Sequence, residues 1–285
     1  MPAGATGRAE FAINDNMKMV MKMLGAILGD IIGSTRELHN IKSEDFDLFP
    51  PNSHFTDDSI MTIAVAEKLL NDFHSRNNRK SYAAWYKHYY RRYPKAGFGQ
   101  MFSDWAESDL LRIQRSYGNG AAMRVTAIGY AFHDLKPMLK EVEASCYYTH
   151  HNPEAIKGAK AVATSVFLAN KQEEKETIKH TITKLFGYTF EPLAGIKADY
   201  VFDSRTSYTV PPALEAFFES TSYENAIRKA ISIGGDSDTI ACITGGIAQA
   251  YYKEIPKEII SRGNLFIGSG FKKVISEFNE EFICK

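Results

Sequence analysis

Gly234-Gly235-Asp236-Ser237-Asp238-Thr239-Ile240-Ala241-Cys242-Ile243-Thr244-Gly245-Gly246-Ile247-Ala248 places a double-glycine turn and two carboxylates at the mouth of an apolar run of small side chains. Such a run reads as a thin, buried helix entered from an acidic turn, with the glycines letting the backbone turn tightly. A second stretch, Phe55-Thr56-Asp57-Asp58-Ser59, is built alike: a hydroxyl, two carboxylates, then Ile60, Ile63, Ala64, Leu69 and Leu70 on one helical stripe. Capping explains part of both, because Thr, Asp and Ser are favoured N-caps and negative charge suits a helix N-terminus. One aspartate meets that need. On the first cluster alone, cap and ligand stand equal. The second cluster shifts the balance, because four carboxylates at two helix mouths are costly unless cations offset them. Carboxylate and hydroxyl oxygens are the preferred ligands of hard divalent ions such as magnesium. Two facing carboxylate pairs would host two cations at the binuclear spacing of roughly 3.5–4 Å.

Working outward, helical periodicity covers most of the chain. Tyr82 to Tyr93 carries aromatics at helical spacing, and Asn119 to Phe132 reads as a small-residue helix. Asn152-Pro153-Glu154 opens a helix to about Asn170, and Lys171 to Phe186 is amphipathic and ends at Gly187. Pro211-Pro212 starts a helix through Phe218, Tyr223 starts one ending near Ile233, and Ile240 to Tyr252 is buried. Strand alternation is confined to Tyr200-Val201-Phe202 and Ser207-Tyr208-Thr209-Val210, both expected in a long loop. No linker and no repeat period divides the chain, so one all-α domain is expected over 23–285. Residues 1–22, small and polar before a cluster of methionines, are expected to be a disordered or tag-derived leader.

With 34 basic and 34 acidic residues the formal net charge is zero, which argues against a broad nucleic-acid or anionic-membrane surface. Hydrophobic residues make up 44%, enough for a substantial core in 285 residues. Cys146, Cys242 and Cys284 are widely spaced and form no CxxC pair, which suits free thiols in a reducing, cytoplasmic setting. Met17 to Ile32 is apolar but is interrupted by Lys18, Lys22 and Asp30, so no membrane span is expected.

Three weaker motifs accompany the clusters. Gly25-Ala26-Ile27-Leu28-Gly29-Asp30-Ile31-Ile32-Gly33 has a glycine at every fourth position, which allows very close packing against another helix. Glu37 follows it, and by spacing alone reads as a solvated surface residue. Gly118-Asn119-Gly120-Ala121-Ala122-Met123-Arg124 suits backbone N–H groups wrapping phosphate or ribose oxygens, although it is neither a Walker motif nor a dinucleotide fingerprint. His150, in Thr149-His150-His151-Asn152-Pro153, precedes a helix, where a satisfied core or capping role is the commoner one.

Taken in order, these segments, with Val210-Pro211-Pro212-Ala213-Leu214, resemble the ADP-ribosylglycohydrolase family, which includes dinitrogenase-reductase-activating glycohydrolase and the vertebrate ADP-ribosyl-acceptor hydrolases. The match runs over about residues 23 to 256. The resemblance implies an all-α, single-domain orthogonal multi-helix bundle with two Mg2+ ions, or Mn2+. It implies Thr56, Asp57 and Asp58 as metal ligands from one side and Asp236, Asp238 and Thr239 from the other. Glu37 falls where some members carry a mobile glutamate that gates the metal cleft. Gly118, Asn119, Gly120 and Met123 would line the ADP-ribose site, with His150 touching the ligand. Ser59, where a threonine is common, and the Gln249-Ala250-Tyr251 end depart from the family pattern.

The implied reaction is hydrolysis of an ADP-ribosyl bond, with Asp57, Asp238 and Glu37 as catalytic candidates. The expected substrate is an ADP-ribosylated protein, arginine-linked first, or a small ADP-ribose conjugate, handled by a monomer. Serine, nucleic-acid and O-acetyl linkages are alternatives. So is an ADP-ribose reader, or an immunity protein that neutralises an ADP-ribosyltransferase.

Overall fold

In the computed structural model, residues 22–75 and 81–282 are described. The expected leader, apart from Lys22, lies outside them, as does Cys284. The described residues form fourteen α-helices and no strand. In chain order they are α1 (Leu24–Gly33), α2 (Asp57–His74), α3 (Tyr82–Arg92), α4 (Gln100–Glu107), α5 (Thr126–Ala131), α6 (Leu135–Cys146) and α7 (Pro153–Asn170). There follow α8 (Lys175–Phe186), α9 (Leu193–Ile196), α10 (Thr206–Phe218), α11 (Tyr223–Ser232), α12 (Ser237–Tyr252), α13 (Lys257–Gly263) and α14 (Ser269–Phe282). Asn119–Ala121 adds one 3-10 turn. Several ends carry the signals expected of them: Asn152 caps α7 with Pro153 in its first turn, and Gly187 ends α8 in the left-handed region at φ 71°.

The multi-helix bundle is organised around α12, whose side chains are buried from Ser237 through Ala250. It touches α1, α2, α5, α7, α10 and α11. Helix α1, buried along its whole length, lies antiparallel on it, backbone against backbone. A Cβ at Gly25 would stand 2.5 Å from Gly245 O, one at Gly29 2.1 Å from Ala241 O, and one at Gly33 2.5 Å from Asp238 Cα. The glycine stripe therefore packs against the helix that carries the second acidic cluster. Gln249 Oε1 accepts the Gly25 N–H at 2.7 Å, and Tyr223 Oη donates to Gly25 O at 2.8 Å, fixing the far end of the pair.

Four expectations are corrected. Asn119 to Phe132 is a 3-10 turn and the short α5, with an irregular stretch between them, because Asn119 is drawn to tertiary partners described below. Neither strand is formed: Tyr200–Phe202 has no regular structure, and Ser207–Val210 lies inside α10. Pro211 and Pro212 fall in the second turn of α10 instead of starting it. The start is moved upstream because Thr206 N donates to Tyr117 O at 3.0 Å and its hydroxyl donates to Gly118 O at 2.6 Å. Pro212 supplies no N–H to Tyr208 O, and Tyr200 Oη donates there at 3.0 Å in its place. Lastly, α8 starts at Lys175, because Lys171 closes α7.

Gly29→Ala should lower stability by about 1–3 kcal/mol, since the added methyl would run into the α12 backbone at Ala241 and Cys242, which has no flexible end to move aside. Gly270→Ala, in α14 with nothing within 4 Å of its would-be Cβ, should be neutral or stabilising by about 0.4–1 kcal/mol. Urea unfolding of both variants checks this, and equal stability would show that the α1–α12 contact yields readily.

Candidate metal centre

Both acidic clusters sit at helix N-termini that face each other. Thr56 is the N-cap of α2, its Oγ1 accepting the Asp58 N–H at 3.2 Å, and Asp57 and Asp58 fill the first turn. Asp236 is the N-cap of α12, reached through Gly234 and Gly235 at φ 78° and 72°, where a side chain would be strained. One bond ties the two mouths directly: Thr239 Oγ1 donates to Asp58 Oδ2 at 3.1 Å.

Within this region two sets of carboxylates have oxygens within 4.8 Å of one another: Asp30, Asp58 and Asp238, and Glu37, Asp236 and Asp238. Asp238 belongs to both. Asp57 belongs to neither, and its Oδ1 faces Gly97, where a Cβ would stand 3.3 Å away. The donor set is all oxygen, carboxylates with two threonine hydroxyls, and neither set includes His or Cys. Asp58 Oδ1 is buried with no hydrogen-bond partner. An all-oxygen set with an orphaned carboxylate oxygen fits a hard divalent cation.

The electrostatics agree. No Lys or Arg ion pair neutralises any of these carboxylates among the described residues. Burial raises Asp57 to about 8, helped by the charges of Asp30, Asp236 and Glu37. Burial first, then neighbouring carboxylates, holds Asp58 and Asp238 well above the usual range. Glu37 is raised for the same reasons, with His54 opposing. Helix dipoles favour the charges, yet each supplies only about half an elementary charge.

All twelve residues singled out in the sequence line one cavity of about 510 Å3: Glu37, Thr56, Asp57, Asp58, Gly118, Asn119, Gly120, Met123, His150, Asp236, Asp238 and Thr239. Two stand differently from expectation. Glu37 is half-buried beside Asp236 and Asp238 instead of solvated on the surface. The Asn119 amide is spent on protein, donating to Asp236 Oδ2 at 2.7 Å and Thr209 Oγ1 at 3.0 Å, so it holds a carboxylate in place. Three aromatic side chains, Phe98, Phe102 and Phe202, also line the cavity.

Asp30 was missed as a site residue. It is fully buried on α1 and accepts from Thr56 N at 2.9 Å, Thr56 Oγ1 at 2.7 Å, Ser59 N at 3.0 Å and the Ser59 hydroxyl. Its signal in the sequence was a lone carboxylate in an otherwise apolar glycine helix, which burial makes costly without donors. Ser59, the departure from the family pattern, supplies two of them.

The ADP-ribosylglycohydrolase family model matches residues 15–282, beginning inside the expected leader. ADP-ribosylhydrolase ARH3 of Homo sapiens is 28% identical over 308 residues, covering 81% of this chain and 84% of its own length. An uncharacterised protein of Archaeoglobus fulgidus is 26% identical over 271 residues, covering 82% and 88%. A solved structure described as an ADP-ribosylglycohydrolase-related protein complex superposes with TM-score 0.66 at 21% identity, covering 94% of this chain and 100% of that one.

Raised carboxylate pKa values mean that the cation-free folded state keeps protons that the unfolded chain releases above about pH 4. Cation-free stability should therefore fall as pH rises from about 4 toward 8, the value for Asp57. Magnesium should remove that decline by displacing the protons. Melting temperatures at pH 5 and 8, in chelator and in magnesium, check both; a melting point in chelator that rises with pH would contradict the reading.

Proposed function

The chain belongs to the ADP-ribosylglycohydrolase family, and on that premise we propose that it hydrolyses the bond between the anomeric carbon of an ADP-ribose and its acceptor. The observation that carries this is one cavity shared by the two acidic helix mouths, the Gly118–Gly120 turn and His150. Thr56, Asp57 and Asp58 would hold cations from the α2 side, and Asp236, Asp238 and Thr239 from the α12 side. Two magnesium ions, or manganese, would polarise ribose hydroxyls and lower the pKa of a bound water.

The chain's own groups supply the rest. Asn119 and Thr239 keep Asp236 and Asp58 aimed inward through the bonds described. The Gly118–Gly120 turn, Met123 and His150 hold the ADP-ribose, and Phe98, Phe102 and Phe202 give the adenine an apolar wall. A carboxylate oxygen of Glu37, beside Asp236 and Asp238, takes a proton from the attacking water. Water oxygen bonds to the anomeric carbon as the bond to the acceptor breaks; the acceptor leaves with a proton drawn from solvent, and Glu37 returns the proton it took to solvent. The transition state is oxocarbenium-like, so the surrounding carboxylates favour it.

We propose an arginine-linked acceptor first. With two divalent cations bound, the six carboxylates, counting Asp30 behind them, are balanced together with Lys95 and the buried Arg124, so the acceptor is decided by the substrate panel and not by the cavity's charge. The buried free thiols of Cys146 and Cys242 support action in a reducing, cytoplasmic setting.

A substrate panel with arginine, serine, nucleic-acid-end and acetyl-ester linkages, with and without magnesium, tests this. Arginine release should require the metal, and Asp57→Ala and Asp238→Ala should abolish it while weakening cation binding. Glu37→Gln should lower kcat by roughly 10²-fold or more. No turnover of any substrate with magnesium present would favour an ADP-ribose reader or an immunity protein.

A further inference from the structure

Behind the Gly118–Met123 turn lies a cation without an acidic partner. Arg124 is 1% exposed, and its guanidinium lies over the Tyr86 ring, 4.2 Å from the centroid. Its Nη2 donates to Ser145 O at 3.0 Å and to Thr149 Oγ1 at 2.9 Å, and it forms no ion pair among the described residues. Thr149 Oγ1 in turn lies 2.9 Å from His150 Nδ1. Thr149 and His150 are both buried.

Donor and acceptor counting decides the direction of this chain. A guanidinium only donates, so the Thr149 oxygen receives a hydrogen from Arg124. The hydroxyl's own hydrogen then needs an acceptor, and His150 Nδ1 is the only one in reach among the described residues. Were Nδ1 the protonated nitrogen, the buried Thr149 hydrogen would have no protein acceptor among the described residues, an arrangement that folded proteins avoid. We infer that Arg124 and Thr149 are positioning residues that fix His150 as the Nε2–H tautomer, so that Nε2 presents a hydrogen-bond donor to an acceptor oxygen of the bound ligand.

Two further observations support the assignment. Nε2 has no protein partner among the described residues, and His150 lines the cavity. A Cβ at Gly120 would stand 3.2 Å from Nε2, so the second glycine of the turn keeps that nitrogen open. Burial and the Arg124 charge both push His150 well below the usual imidazole range, which keeps the ring neutral. The ring is anchored through its backbone, since His150 N donates to Cys146 O at 2.8 Å. His150 is thereby a fixed donor, with Nδ1 already occupied as an acceptor.

That the ligand is ADP-ribose rests on the function proposed above, whereas the tautomer does not. The test is heteronuclear NMR of the imidazole nitrogens of the full chain, with His150 assigned by its loss in His150→Gln, alongside calorimetric titration with ADP-ribose in magnesium. The parent and Thr149→Ser should both show the Nε2–H pattern. Thr149→Val should show mixed tautomers, with ADP-ribose Kd raised about tenfold. For a substrate that turns over, that variant should raise KM with kcat nearly unchanged, because the donor serves ground and transition states alike. An Nδ1–H pattern in the parent, or a pure Nε2–H pattern in Thr149→Val, overturns the relay. Expected tautomers without ADP-ribose binding by the parent would leave the relay standing and remove ADP-ribose as its ligand. If Thr149→Val does not fold, the parent pattern and the Thr149→Ser rescue decide.

Discussion

The Asp30 carboxylate is where the molecule's geometry is set. It rides on α1, which the Gly25, Gly29 and Gly33 stripe presses onto the α12 backbone. From there it collects four donors from the first turn of α2. A carboxylate with no access to water is tolerable only with such a set of donors, so α2 has little freedom to start anywhere else. The register of α1 on α12 therefore decides where Thr56, Asp57 and Asp58 stand relative to Asp236 and Asp238. Any side chain larger than glycine at Gly29 would displace Asp30 from α12, and the two acidic mouths with it.

The cost of this arrangement explains its surroundings. Carboxylates that share one cavity repel each other, and their raised pKa values express that strain as protons held where solvent would have removed them. The donors nearby are hydroxyls and amides: Thr56, Ser59, Asn119 and Thr239. None brings a formal charge, so they orient the carboxylates without neutralising them. A lysine in their place would form a stable ion pair and close the centre to cations. The large apolar core through α12 carries the energetic burden that the site imposes.

How much of this was legible in the sequence follows from the range of each interaction. Helix type was legible, since a 3.6-residue period is a local property, and so were the caps at Asn152 and Gly187. Ser207–Val210 misled because β-branched alternation and a following proline pair are also local signals, while the contact that makes those residues helical is Thr206 reaching back to Tyr117 and Gly118. The twelve cavity-lining residues were found because two doubled aspartates exceed what caps require and because the remaining motifs matched a family pattern. Asp30 was visible only as an oddity in an apolar helix. Its role depends on Ser59 and Thr56 in another helix, and Arg124 depends likewise on Thr149 through folded geometry. Spacing along the chain carries no trace of such partners.

Glu37 shows how the fold bears on movement at the site. The family resemblance implies a glutamate that swings to gate the cleft. Here Asn40 Oδ1 accepts the Gly235 N–H at 2.6 Å, while its amide donates to Gly235 O at 3.0 Å and to Glu37 O at 2.9 Å. Lys42 Nζ adds bonds to Ile233 O and Tyr200 O, both 2.7 Å. The backbone bearing Glu37 is thus stitched to the very turn that presents Asp236. Relative motion of the two would break every one of the Asn40 bonds to that turn. A gating Glu37 would have two routes: rotation of its side chain on a fixed backbone, or displacement of the loop and the Gly234–Gly235 turn together. The second would carry Asp236 with it and so open the centre and dismantle it in one step. Side-chain rotation keeps the carboxylates of Asp236 and Asp238 in place, and it is the route this hydrogen-bonding pattern leaves open.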